Sequence, residues 1–171
     1  TSDKDIIKML GFRPPIFMYK SLSRFLDKPQ DFFKILNKYK VFFILYPTLT
    51  AYDGHWCIFV KNSFGIQFFD PYGLNIDDEK HLINPVNLIL GDAYVNFLKL
   101  IFINVDYTYN KFPFQQMGSH INTCGNWCVN RALNYKLSND QYTRYVLSSY
   151  KSSLNNHVPL KNLDEWVMLV T

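Results

Sequence analysis

Apolar residues in this chain change their spacing several times, and each change marks an element. Ile6, Ile7 and Leu10 recur at helical intervals between a Ser/Asp start and Gly11, which predicts a short capped helix over 2–10. Pro14-Pro15 then forces an extended segment toward Phe17 and Tyr19. Pro29 stands where helices begin, and Phe32, Phe33, Leu36 and Tyr39 form one stripe, so a helix is expected over 29–39. The continuous apolar run 41–46, stopped by Pro47, reads as a strand covered on both faces. Strands over 55–60 and 66–70 follow, separated by turn-type residues, which predicts an antiparallel hairpin. With Asn62-Ser63 as a two-residue loop, facing residues sum to 125 and His55 stands opposite Asp70, their Cβ atoms roughly 4.5–5.5 Å apart.

Beyond the hairpin the pattern is less regular. Pro71-Tyr72-Gly73 turns the chain and an acidic stretch (Asp77, Asp78, Glu79) follows. Asn84-Pro85 caps a helix carrying Val86, Leu88, Ile89, Ala93, Val95 and Leu98, interrupted at Gly91-Asp92. A strand is expected over 100–105. Asn122 and Thr123 precede a helix that starts at or beside Cys124, and Ser138 caps another from Asn139 to about Tyr150. The apolar segment 163–170 takes no firm assignment from its pattern.

Composition narrows the classes. With 171 residues, 48% hydrophobic and 18% aromatic, the chain suffices for one well-filled domain and is short for two. It contains no run of eighteen apolar residues and starts with polar and charged residues, so a soluble protein with no membrane span or signal peptide is expected. Its three cysteines do not form a disulfide framework and suit a reducing compartment, and the histidines and cysteines lack zinc-type spacing, so no metal is expected. The net charge of +4 gathers at residues 1–40, with nine Lys/Arg against four Asp/Glu. Nucleic acid could meet that lobe, although the interspersed signs fit an ordinary solvated surface better.

The chemistry centres on Cys124. A thiol at a helix N-terminus meets open N–H groups and the positive end of the macrodipole, both of which favour thiolate. Gly125 beside it leaves room for a second backbone. Earlier in the chain stand His55, a general base, Asp70, an orienting carboxylate, and Gln115-Gln116, amides that can serve an oxyanion. Each has a plain alternative, as a buried small hydrophobe, a surface histidine, a turn opener or a solvated amide. Their conjunction, with the cross-strand facing of His55 and Asp70, outweighs those alternatives. Cys57 and Cys128 read as core; His120 lacks a carboxylate nearby in sequence, and His81 and His157 sit in loops.

His55-Trp56 opening a strand, Phe69-Asp70-Pro71-Tyr72-Gly73 closing the next, a glutamine ahead of the nucleophile and Thr123-Cys124-Gly125 opening a helix resemble the adenovirus maturation protease and its relatives among virophages and other DNA viruses. The SUMO-type ubiquitin-like-protein proteases share that core. The resemblance spans about residues 3–133. It implies an α+β (α/β-like) fold, a central mixed sheet flanked by helices with the nucleophile at the start of the central helix. It also implies cleavage after small residues of the Gly-Gly or Gly-X type. By position Cys124 matches the nucleophile, His55 the base and Asp70 the acid, and Trp56 matches a residue that narrows the substrate channel. The glutamine stands slightly farther from the cysteine than in the family; Gln116 is preferred over Gln115. No cofactor is implied, though an activating peptide or DNA is conceivable in such a family. The expected setting is the virion and infected cell, with capsid or core precursors as substrates. Two alternatives stand beside it: a deconjugating protease acting on ubiquitin-like proteins, and a non-catalytic structural or DNA-binding virion protein.

Overall fold

The computed structural model describes residues 1–47, 54–78, 95–118 and 121–171. Its elements are α1 (Asp3–Leu10), β1 (Ile16–Met18), a 3-10 turn (Tyr19–Phe25), α2 (Pro29–Tyr39), β2 (Val41–Pro47), β3 (Gly54–Asn62) and β4 (Gly65–Phe69). Then come α3 (Phe97–Ile101), β5 (Thr108–Tyr109), α4 (Cys124–Leu133), α5 (Asn139–Asn155) and α6 (Leu163–Val170). The strands form one mixed sheet of five in the order β1-β2-β3-β4-β5. The outer pairs β1/β2 and β4/β5 are parallel and the inner pairs antiparallel.

The expected mixed α/β architecture is present, and strand periodicity explains why its central strands are apolar on both faces over most of their length. Alternate side chains leave a strand on opposite faces. Val41, Phe43, Trp56, Ile58 and Val60 therefore pack under α1, α4, α5 and α6. Phe42, Ile44, Tyr46, Cys57 and Phe59 pack against the 3-10 turn, α2 and α3. The sheet is thus the middle of three layers, and an uninterrupted apolar run is what such a strand requires. Among the described residues no helix is long and apolar enough to cross a membrane.

Several predicted elements stand where they were expected. In α1, Ser2 and Asp5 form a reciprocal capping box and Gly11 closes the helix at φ +73°. α2 begins with Pro29 in its first turn. Ser138 and Gln141 cap α5 reciprocally, and the helix runs past the expected stop to Asn155, through a mostly polar last turn whose pattern carries no core signal. The unassigned C-terminal segment is α6, whose N-terminus is capped by the Asn162 side chain accepting from the Glu165 N–H at 2.9 Å.

Two expectations fail. The hairpin pairs Asn62 with Gly65 and Ile58 with Phe69, so facing residues sum to 127 and the loop is Ser63-Phe64. The Asn62 carboxamide accepts from the Phe64 N–H at 2.9 Å, and Gly65 takes φ +104°, a conformation that a side chain would strain. A slip of two residues leaves every side chain on its own face. Asp70 therefore keeps the face of His55, although the paired residues end at Ile58 and Phe69, before either of them. The strand expected over 100–105 is also absent: Leu100 and Ile101 belong to α3, and the sheet takes its edge from Thr108–Tyr109 instead. Phe97, Leu98, Ile101 and Phe102 are buried at helical spacing while Ile103 is 73% exposed. The Asp77 carboxylate accepts from the N–H groups of Leu98 and Lys99, starting the helix from a residue twenty positions away in sequence. An apolar run this short does not distinguish helix from strand by period. Most of the helix expected from Asn84 lies outside the described residues.

Phe32 has no exposed surface and meets the rings of Phe25, Phe33, Phe42, Phe59 and Phe102 at centroid distances of 4.4–5.7 Å. Phe32→Ala should lower unfolding free energy by about 3–5 kcal/mol in urea denaturation; a loss under about 1 kcal/mol would mean the α2 layer is not packed against the sheet in this way.

Candidate active site

The site lies at one end of the sheet, where β3 starts and β4 stops. His55 is the second residue of β3, and Asp70 follows the last residue of β4. His55 Nε2 and Asp70 Oδ1 are 2.6 Å apart, with both residues buried. Asp70 is fixed further by its backbone. Asn110 accepts from the Asp70 N–H through Oδ1 at 2.8 Å and donates to the Asp70 carbonyl through Nδ2 at 2.6 Å. The Gly73 N–H closes a turn onto the Asp70 carbonyl at 2.8 Å, and the Tyr72 N–H donates to Asp70 Oδ1 at 2.9 Å. Gly73, at φ +77°, packs so tightly on the Lys111 carbonyl that an added Cβ would come within 2.8 Å of its oxygen.

Cys124 is the first residue of α4 and is 2% exposed. Its Sγ lies 3.9 Å from the Gly54 carbonyl and 3.8 Å from Asn122 Oδ1. The predicted side-chain cap is missing: Thr123 occupies the N-cap position but caps no N–H of the helix. Its hydroxyl bonds instead to Asp164 of α6, which also accepts from the Trp127 indole at 3.1 Å and from the Gln116 N–H at 3.1 Å. With no cap and no acid in the first turn, the positive end of α4 is left to the thiol.

Electrostatics follow from this packing. Burial opposes the His55 imidazolium, but the charge and hydrogen bond of Asp70, followed by those of Cys124, outweigh it and raise the pKa from 6.5 to about 10. Burial likewise opposes the Cys124 thiolate; the His55 hydrogen bond and charge, with the backbone at Trp56 and Gly125, hold the thiol below its ordinary value. Since Asp70 occupies Nε2, Nδ1 is the ring nitrogen left for the thiol. The arrangement can sustain a thiolate–imidazolium pair, with an acid/base group beside the nucleophile.

The remaining predicted residues separate. Gln115 is buried, its Nε2 donating to the Ile121 carbonyl at 3.1 Å and lying 3.4 Å from the Tyr72 hydroxyl. The side chain of its neighbour Gln116 is exposed, and only the Gln116 backbone is bonded, to Asp164. Trp56 is in the core beside Phe43, with its indole N–H donating to the Thr1 carbonyl at 2.9 Å. Thr1 also covers Gly125, where an added Cβ would stand 2.3 Å from the Thr1 Cβ, and its hydroxyl bonds to Asn126. A cavity of about 250 Å³ is lined by Thr1, Ser2, Asp5, Leu45, Gly54, Trp56 and Asn122, of which Gly54 and Asn122 also neighbour the sulfur.

Cys57 and Cys128 are buried, the latter with Sγ 3.3 Å from the Trp56 carbonyl. His55, Cys57 and Asp70 offer donor atoms within 4.8 Å of one another, so these are the described residues that could hold a metal ion. His157 lies in a turn beyond α5; His81 and His120 are outside the described residues. Sequence reasoning missed Asn110, Asp164 and the role of Tyr72. No local pattern marks the first two, because the partners that place them at the site are 37 or more positions away. Tyr72 lies in the turn beyond the paired residues of the hairpin, so strand register carries no signal for it.

Iodoacetamide should label Cys124 rapidly at pH values well below the free-thiol range of about 8.5, since a depressed thiol pKa keeps thiolate present there. The rate should fall only as acid reprotonates the sulfur, and in His55→Ala its midpoint should move upward; mass-spectrometric mapping checks both. Asn110→Ala leaves the buried Asp70 N–H without its partner and removes one of the two donors to the Asp70 carbonyl. It should cost about 2–4 kcal/mol in thermal or urea unfolding, and a neutral result would show that Asp70 is held by other means.

The chain is 30% identical over 148 residues to "Uncharacterized protein V9" of Sputnik virophage, a match covering 85% of this chain and 82% of that protein. No family model and no solved structure matches. With identity at that level over most of both chains, the protein belongs to the family of Sputnik virophage protein V9.

Proposed function

We propose that the protein is a cysteine endopeptidase of the adenovirus maturation protease type, cleaving precursor proteins after small residues during virion assembly. One observation carries the reading: a buried His55–Asp70 pair stands beside a thiol at the uncapped start of α4 and is electrostatically coupled to it. Membership in a family with a virophage protein supports the viral setting.

In this reading the Cys124 thiolate attacks the substrate carbonyl carbon to form a tetrahedral intermediate. The imidazolium of His55 donates its proton to the leaving amine as the C–N bond breaks, leaving a thioester. Neutral His55 then takes a proton from water, whose oxygen attacks the thioester; the carboxylate product leaves and Cys124 is restored. Asp70 holds the ring by Nε2 throughout. Gln115, buried at the site, takes the oxyanion role in preference to Gln116, whose side chain is in solvent.

The test is turnover of virion precursor proteins, or of peptides spanning Gly-Gly or Gly-X junctions, by the purified chain. Cys124→Ala should be inactive, His55→Ala should lose on the order of 10³-fold or more in kcat, and Gln115→Ala on the order of 10²-fold. Gln116→Ala should stay near wild type. Cleavage confined to ubiquitin-like conjugates would replace the maturation role with deconjugation, and unimpaired turnover in His55→Ala would remove the proposed triad. The alkaline limb of kcat should follow loss of the His55 proton near pH 10 and the acid limb protonation of Cys124.

A further inference from the structure

Tyr72 contacts three residues of this site, His55, Asp70 and Gln115. Its ring lies parallel to the His55 imidazole, centroids 4.4 Å apart and planes 10° from coplanar. Its backbone N–H donates to the carboxylate oxygen that binds His55. Its hydroxyl lies 3.4 Å from Gln115 Nε2. The placement is built in: the turn closed between Asp70 and Gly73 carries the tyrosine, and the Pro71 carbonyl in that turn accepts from the N–H groups of Phe114 and Gln115 at 2.9 and 3.0 Å. One four-residue turn therefore fixes Asp70, Tyr72 and the start of the glutamine segment together.

We propose that Tyr72 is a positioning residue with two separable parts: its ring sets the plane of the His55 imidazole, and its hydroxyl aims the Gln115 carboxamide at the oxyanion. The proposal rests on the cysteine-protease reading. An imidazole hydrogen-bonded at Nε2 alone can still rotate about that bond, which would swing Nδ1 off the sulfur; a ring stacked on its face removes that freedom. The turn closed between Asp70 and Gly73, just past the end of β4, brings the Tyr72 ring onto that face. The Gln115 amide has two N–H groups and one is engaged by the Ile121 carbonyl at 3.1 Å. By accepting weakly from the same nitrogen at 3.4 Å, the hydroxyl restricts the amide plane while leaving hydrogen-bonding capacity for a stronger acceptor, the negatively charged oxygen of the intermediate. The phenol remains protonated in this setting, because burial and then the charges of Cys124 and Asp70 raise its pKa above the ordinary value.

The experiment compares Tyr72→Phe, Tyr72→Leu, Gln115→Ala, the Tyr72→Phe/Gln115→Ala double variant and His55→Ala, measuring kcat, KM and the pH profile of Cys124 alkylation in the whole chain. Tyr72→Phe keeps the stacked ring and should lower kcat about tenfold, part of the loss expected for removing the donor itself, with KM and the alkylation profile unchanged. The double variant should be no slower than Gln115→Ala, because the hydroxyl acts only through that amide. Tyr72→Leu should add a second loss and move the alkylation midpoint toward that of His55→Ala. Wild-type kcat in Tyr72→Phe, or losses that multiply in the double variant, would overturn the hydroxyl's part; a wild-type alkylation profile in Tyr72→Leu would overturn the ring's. Should Tyr72→Leu not fold, Tyr72→Met supplies the same comparison. If wild type and His55→Ala share one alkylation profile, the protease reading itself fails, an outcome distinct from failure of the Tyr72 assignment.

Discussion

A carboxylate removed entirely from water has to be stabilised by donors that the fold supplies, and Asp70, with no exposed surface, sets that condition for the whole site. His55 and the Tyr72 N–H meet it at one oxygen, and Asn110 holds the backbone on both sides of the residue. These donors are brought together by the β3–β4 hairpin, the turn after it and the strand β5 beside it. The same burial that makes the carboxylate demanding also strengthens its hold on the imidazole, because little solvent screens the pair. The charge of Asp70 then passes its effect to the sulfur through His55: a ring kept protonated is what lowers the thiol.

The three-layer packing explains where this pair can stand. Both faces of β2 and of β3 beyond His55 are filled with apolar side chains over most of their length. At the end of the sheet the alternation of faces lapses. His55 starts its strand and Asp70 has just left the other, so a helix from the opposite layer can bring Cys124 to them. That helix is held by α6, where Asp164 gathers the Thr123 hydroxyl, the Trp127 indole and the Gln116 backbone. Diverting Thr123 to Asp164 has an electrostatic result as well as a mechanical one, since the first turn of α4 keeps its N–H groups for the sulfur.

A buried arginine ties the other end of α4 to the sheet in a comparable way. Arg131 bonds to Gln67, Asn139 and the carbonyls of Asn134 and Leu137, and lies over the Tyr142 ring. Burial lowers its pKa to about 10, and polar neighbours rather than a paired carboxylate satisfy its donors. Both ends of α4 are thereby anchored by polar groups inside an otherwise apolar layer. Such contacts have directional preferences that apolar packing lacks, and they fix the orientation of the helix that carries Cys124.

What could be read from sequence was local or periodic. Caps at Ser2 and Ser138, the Pro29 start of α2, the continuous apolar run of β2 and the order His55, Asp70, Cys124 all express preferences acting over a few residues, or a period of two that survives a register slip of two. That slip is why His55 and Asp70 share a face even though the predicted loop was misplaced. Tertiary structure decided the rest, where two outcomes were locally equivalent. A short apolar stretch became α3 because Asp77 capped it from afar. Thr123 bonded to Asp164 instead of capping its own helix. Adjacent glutamines, alike as types, were separated by the Pro71 carbonyl and Asp164, which turn Gln115 inward and leave the Gln116 side chain in solvent. Periodicity can name the face on which a residue lies, but only contacts between distant segments determine which of two neighbours reaches the site.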